Sequence, residues 1–311
     1  MNPLNSSACA DTWTGIDWSD YEHDVLINNR RIHYVDIGSG PAILLVHGLG
    51  GSWQWWLKNL PDLATHARVI AVDLAGFGDS ELTTSDDPYA GQITMLTGLL
   101  DVLGIQDTIV VGHSMGGLVA VKLAAEYPDR VRGLLLVSAG GAPLSPFHLA
   151  VMTSAFRMFS AVFAIPDLAD KVARHRVLRK GFLAAGFTDP ASVSAEMAVE
   201  IIPRMRTPGF LPAVKAAAAG LSGINLADVR CPCQLVWGAN DLALPLHVAY
   251  DLAEALPDTR LSIFDDVAHC AMIEAPERFN EVLINFVADP INGRTEDHDG
   301  APRASTASSG Q

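Results

Sequence analysis

The chain has 311 residues, 49% hydrophobic and 18% charged, a balance that excludes a disordered polymer and allows one large domain or a core with an inserted lobe. Its formal charge of -14 comes with no cluster of Lys and Arg of the kind a nucleic-acid binder uses to displace counterions, so nucleic acid is not an expected partner.

Residues 1–20 lack the basic and apolar regions of a secretory signal and are taken as an N-terminal extension. Seven short β-rich runs follow, at 32–35, 43–46, 69–72, 108–111, 134–137, 234–237 and 261–264. Several are continuously apolar, as parallel strands covered on both faces are. Helical spacing lies between them. Leu96, Leu99, Leu100 and Leu103 mark one helix, with Gly104 as its C-terminal cap. Leu118, Val119, Leu123 and Ala124 mark another, closed near Pro128, and Pro276 opens a third that carries Phe279, Val282, Leu283 and Phe286. Alternating strands and helices predict an α/β fold with a mostly parallel, doubly wound sheet, built from 21–141 and 224–288.

The stretch 142–223 breaks the alternation. It reads as helices separated by prolines, inserted between two strands as a helical cap, and it holds seven of the 11 Phe residues. Phe147, Phe156, Met158 and Phe159 are the lobe's candidates for lining an apolar pocket. The apolar run 149–165 is broken by Thr153, Ser154, Arg157 and Ser160 and falls short of the roughly 20 apolar residues of a membrane span, so no transmembrane segment is expected. The polar segment 289–311 reads as a disordered tail. Cys9, Cys231, Cys233 and Cys270 lack zinc-ligand spacing and read as free thiols of a reducing, cytoplasmic compartment.

The decisive stretch is Gly112-His113-Ser114-Met115-Gly116, between a predicted strand and a predicted helix. A serine that must leave a strand and enter a helix within a residue or two needs neighbours without side chains, and Gly112 and Gly116 provide them. The turn presents the hydroxyl at the carboxyl end of the sheet and aims the Met115 N–H at a developing oxyanion. A serine needs a base, and the base an orienting acid. Asp241 follows the run 234–237, and His269 follows the run 261–264.

With Gly-x-Ser-x-Gly, the acid loop Trp237-Gly238-Ala239-Asn240-Asp241, the segment His269-Cys270-Ala271-Met272-Ile273-Glu274-Ala275-Pro276 and the loop His47-Gly48-Leu49-Gly50-Gly51, the chain resembles the α/β-hydrolase superfamily, in the serine-nucleophile branch with a helical cap. The resemblance spans about residues 25–288 and implies Ser114, Asp241 and His269 as a catalytic triad. It implies the Leu49 and Met115 N–H groups as the oxyanion hole, and structural roles for His47 and Asp73. No metal and no organic cofactor are expected. A serine at the elbow, where dehalogenases and epoxide hydrolases of this fold carry Asp, implies acyl chemistry. Trp53, in the run Trp53-Gln54-Trp55-Trp56, is a candidate wall of the acyl pocket. The first expectation is a carboxylesterase-like enzyme for small apolar esters. The alternatives are a meta-cleavage-type carbon–carbon hydrolase, an enol-lactonase or a cofactor-free perhydrolase, and last a non-catalytic receptor of the same fold. Carbon–carbon hydrolases of this branch often carry Asn before the serine and Trp after the histidine, where this chain has His113 and Cys270. The partner is a small acyl compound, and assembly into a homo-oligomer is left open.

Overall fold

The computed structural model describes residues 12–83, 87–140, 165, 167–184, 186–210, 213–214, 221 and 223–289. Its centre is an eight-stranded sheet ordered β1-β2-β4-β3-β5-β6-β7-β8. The strands are β1 (Glu22–Ile27), β2 (Arg30–Gly38), β3 (Ala42–Val46), β4 (Arg68–Val72), β5 (Thr108–His113), β6 (Val131–Val137), β7 (Cys233–Gly238) and β8 (Thr259–Phe264). β2 runs antiparallel to β1 and β4, and all other pairs are parallel. The helices are α1 (Leu60–Leu63), α2 (Pro88–Val102), α3 (Met115–Glu126), α4 (Leu168–Arg174), α5 (Arg176–Leu183), α6 (Ala195–Ile201), α7 (Leu246–Ala255), α8 (Ala271–Glu274) and α9 (Pro276–Ala288).

The continuous apolar runs are explained by two cores. Along β3, Ile43 and Leu45 enter one core while Leu44 and Val46 enter the other; along β5, Ile109 and Val111 face away from Val110 in the same way. Each such side chain stabilises the sheet by roughly 1.5–3 kcal/mol relative to exposure. All seven predicted strands are present. The eighth, β1, was not expected: it lies at the sheet edge, and its residues are exposed or half-buried throughout.

Residues 12–20 form two short 3-10 turns, and the Trp13 side chain enters the core on the α9 side of the sheet. This part of the expected extension therefore packs on the fold; residues 1–11 lie outside the described residues. Between β6 and β7 the described residues form helices and short 3-10 turns and no strand. Phe147, Phe156, Met158 and Phe159 lie outside the described residues, as does all of the expected tail but Asp289.

The strand order places the site. From β3 the chain crosses to β4 on one side, and the next strand, β5, pairs with β3 on the other. At such a switch point the loops leaving the carboxyl ends of β3 and β5 diverge and open a crevice. The loop after β3 carries Leu49, and the turn after β5 carries Ser114.

Candidate active site

Ser114 leaves β5 with φ 54° and ψ -117°, a conformation non-glycine residues rarely hold. Its surroundings enforce it. The Ser114 N–H donates to Val137 O at 3.0 Å, and the Ser114 carbonyl accepts from Gly117 N–H at 3.0 Å and Gly140 N–H at 3.2 Å. The elbow also needs its flanking glycines. A Cβ on Gly112 would stand 2.6 Å from Gly116 O, and one on Gly116 would meet the carbonyl oxygens of Val46 and His47.

Asp241 and His269 stand on loops stitched to each other. The Ala239 N–H donates to Phe264 O at 2.9 Å and the Asn240 N–H to Val267 O at 3.0 Å, so the loop after β7 and the loop after β8 hold one geometry. Within it, His269 Nε2 lies 3.0 Å from Ser114 Oγ, and His269 Nδ1 lies 2.8 Å from Asp241 Oδ2. The other oxygen, Asp241 Oδ1, accepts the N–H groups of Ala243 and Leu244, each at 2.9 Å. Burial pushes the Asp241 carboxyl up. The hydrogen bond and charge of His269, with the backbone donors, outweigh burial and hold it below the usual carboxylate range. Ser138 Oγ contributes to the same stabilisation, though it lies outside full hydrogen-bond geometry.

The three residues singled out from the sequence thus converge: a hydroxyl, an imidazole and a fully buried carboxylate in hydrogen-bond reach. With Asp241 ionised, Nδ1 carries the proton and Nε2 faces the hydroxyl as an acceptor, the tautomer a general base requires. Met115 is the first residue of α3, so its N–H has no partner one turn back. The Leu49 N–H makes no hydrogen bond among the described residues.

Two other histidines are fixed in neutral form. Burial lowers His47 to about 4; its Nε2 accepts the Leu74 N–H at 3.0 Å, so Nδ1 donates to Gly48 O at 2.8 Å. Burial, then the charge of His269, lowers His113 to about 3. Neutral His113 donates from Nε2 to the carbonyl oxygen of His269 at 3.0 Å, and the Trp55 ring is stacked on it with centroids 6.1 Å apart. The Cys270 thiol is pushed up by burial and stays protonated.

Trp53, the expected wall of the acyl pocket, is buried, with its ring 5.3 Å from the Trp18 ring and its backbone N–H donating to Asp73 Oδ1 at 2.7 Å; Trp55, in the same run, is the one stacked on His113. Sequence reasoning also missed Glu274. Its carboxylate accepts the N–H groups of Ala268 (2.9 Å), Thr188 (2.7 Å) and Asp189 (3.2 Å), tying the histidine loop to the segment after α5. The His269 N–H itself donates to Gly186 O at 3.3 Å. Glu274 stands inside the histidine motif, but its partners are distant in sequence and only Ala268 is near.

Among the described residues one group has ligand atoms close enough for a metal: His33, Asp73 and Asp79, within 4.8 Å of one another. Both Asp73 oxygens already accept N–H groups, from Trp53 and from Asp79 at 2.8 Å, so the cluster orders the loop beside the oxyanion segment.

The sequence profile of the alpha/beta hydrolase fold family matches residues 41–276, most of the chain. The chain is an α/β-hydrolase. Among curated proteins, this α/β-hydrolase is 30% identical to a 2-hydroxy-6-oxononadienedioate/2-hydroxy-6-oxononatrienedioate hydrolase of Paraburkholderia phymatum, over 83% of this chain and 91% of that one. It is 29% identical to a 2-hydroxy-6-oxo-6-phenylhexa-2,4-dienoate hydrolase of Burkholderia cepacia, over 85% and 93% of the two chains. Among solved structures, a meta-cleavage product hydrolase of Pseudomonas fluorescens matches with a TM-score of 0.71 at 22% identity, over 88% of this chain and 99% of that one, a likeness of fold. No helix among the described residues is long and apolar enough to cross a membrane.

Proposed function

We propose that this α/β-hydrolase is a serine hydrolase in which Ser114, His269 and Asp241 act as one relay on a substrate carbonyl. The observation that carries this reading is the unbroken line from Ser114 Oγ to Nε2 (3.0 Å) and from Nδ1 to Asp241 Oδ2 (2.8 Å). As Oγ bonds to the carbonyl carbon, its proton passes to Nε2 and the carbonyl oxygen becomes an oxyanion. The N–H groups of Leu49 and Met115 are the donors for that charge, and such donors contribute on the order of 3 kcal/mol each to the transition state. The bond to the leaving group then breaks, His269 returns the proton to it, and water releases the acid from Ser114.

For the bond that breaks, the relatives support a carbon–carbon bond of a conjugated 2-hydroxy-6-oxo dienoic acid, because two hydrolases named for such substrates match this chain over nearly their whole length. This reverses the order expected from the sequence, which put small apolar esters first. The ester reading keeps specific support of its own: His113 and Cys270 occupy the places where carbon–carbon hydrolases of this branch often carry Asn and Trp. Both substrates use the same serine, and one experiment ranks them. Turnover of 2-hydroxy-6-oxo-6-phenylhexa-2,4-dienoate, followed by loss of its conjugated absorbance, is compared with turnover of p-nitrophenyl butyrate. A higher kcat/KM on the dienoate is expected, and a higher value on the ester would restore the esterase reading. Ser114→Ala is expected to lower kcat on either by roughly three to six orders of magnitude with folding intact. A Ser114→Ala protein that keeps wild-type turnover would end the serine mechanism.

A further inference from the structure

Composition hides an asymmetry of charge. Residues 171–183 hold five of the chain's 21 Lys and Arg, namely Lys171, Arg174, Arg176, Arg179 and Lys180, and none of its 35 Asp and Glu. Contrary to the expectation from the whole chain, this stretch is a local basic cluster. It covers the end of α4 and all of α5, which pack on each other. Val172, Ala173 and Leu183 point inward and are buried, and Arg179 is turned back on the hairpin, donating to Ala173 O at 2.8 Å. Lys171, Arg174, Arg176 and Lys180 are exposed, and none of them takes part in an ion pair among the described residues. Between these cations stand two apolar side chains in the open, Val177 at 70% exposure and Leu178 at 46%.

We propose that this α4–α5 face docks on an anionic phospholipid bilayer. Unpaired cations attract anionic headgroups, and exposed apolar side chains next to them gain by entering the headgroup–acyl boundary: Val177 adjoins Arg176 and Lys180 on the helix, and Leu178 stands at the border of that surface. A soluble anion would use the cations and gain nothing from Val177 and Leu178. Asp170, exposed on α4 one turn before Arg174, offsets one of these charges; the more distant acidic groups do not cancel the attraction, because at physiological salt charges more than about 8 Å apart are largely screened. The hairpin is joined to the histidine loop by a short connection: three residues after Leu183, the Gly186 carbonyl accepts the His269 N–H at 3.3 Å. The inference stands whichever substrate the serine prefers.

The test is co-sedimentation of the full chain with vesicles of phosphatidylcholine alone and of equimolar phosphatidylcholine and phosphatidylglycerol, at low and physiological salt. Binding to the mixed vesicles only, weakened by salt, is expected. Each Lys or Arg near an anionic surface is worth roughly fivefold in partitioning, so Arg174→Ala with Arg176→Ala and Lys180→Ala is expected to lose about 100-fold. Val177→Ser with Leu178→Ser, which leaves every charge in place, is expected to lose about tenfold or more. Unchanged circular dichroism and unchanged labelling of Ser114 by a fluorophosphonate show that each variant is folded. Failure of the wild type to bind mixed vesicles at low salt would overturn the proposal, as would binding that both variants retain in full. A charge variant that alters kcat/KM for the acidic dienoate, with no vesicle binding by the wild type, would assign the cations to attracting soluble substrate instead.

Discussion

The substitution Asp241→Asn tests the relay without disturbing its shape. The carboxylate's two oxygens have different duties: Oδ1 accepts the Ala243 and Leu244 N–H groups, while Oδ2 faces His269 Nδ1 at 2.8 Å. Those two donors hold the amide oxygen of the substituted side chain at the Oδ1 position, so the amide NH2 must face the imidazole. Nδ1 then has to accept, the ring proton moves to Nε2, and Nε2 can no longer take the serine proton. The loss expected for a wrong tautomer is about 10⁴-fold in kcat, or about 5 kcal/mol of transition-state stabilisation. The second-order rate of Ser114 labelling by a fluorophosphonate measures it without assuming a natural substrate, and circular dichroism confirms the fold. A loss of less than tenfold would refute the claim that Asp241 sets the tautomer of His269.

Three further outcomes follow from other contacts. His113→Leu removes the donor to the His269 carbonyl and is expected to slow labelling about tenfold, whereas His113→Gln, which can donate there, stays within a few-fold; equal rates for the two variants would deny His113 a positioning role. Gly116→Ala would force a Cβ onto the Val46 and His47 carbonyl oxygens, fixed backbone at the end of β3. Its expected cost is about 3 kcal/mol and a melting temperature lower by roughly 6–10 °C, and a wild-type melting curve would contradict the close approach. Acid should destabilise the fold below about pH 6.5, through its buried histidines. Unfolded histidine takes up its proton near pH 6.5, whereas in the folded chain burial lowers His47 to about 4 and His113 to about 3. The unfolded state therefore binds more protons across that window, and stability falls as pH drops from about 6.5 toward 4. Asp73 acts in the opposite sense, since burial raises it to about 6 and the folded chain holds that proton more tightly. Denaturant midpoints at pH 7, 6, 5 and 4 check the sum, and a constant midpoint would show that these histidines are not buried neutral.

What the sequence could reveal depended on how local each cause is. The central strands were legible because burial on both faces leaves an unbroken apolar run, as in Ile43–Val46 and Ile109–Val111. β1 was not, because an edge strand with half its side chains in water carries no such run. Ser114 was legible because its strain demands Gly112 and Gly116 within two residues on either side. Asp241 and His269 were found through strand ends and a family pattern. Ser138 and Glu274 escaped notice because their roles exist only across space. Ser138 sits at the end of β6, next to a carboxylate delivered from β7, and Glu274 binds backbone from a different stretch of chain. Trp53 and Trp55 differ by two positions in one short turn, and composition does not say which of them reaches His113.

The pairing of β6 with β7 has an architectural consequence. The polypeptide departs at Val137 and comes back at Cys233 onto the adjoining strand, with Leu134 opposite Cys233 in register. A detour whose two feet are already neighbours can lengthen or shorten at small entropic expense, since closure varies only with the logarithm of its length. Evolution, or an engineer, can therefore change the length of that detour while the elbow, the acid turn and the base turn keep their frame, provided Ser138, Gly140 and residues 186–189 keep their bonds to those turns.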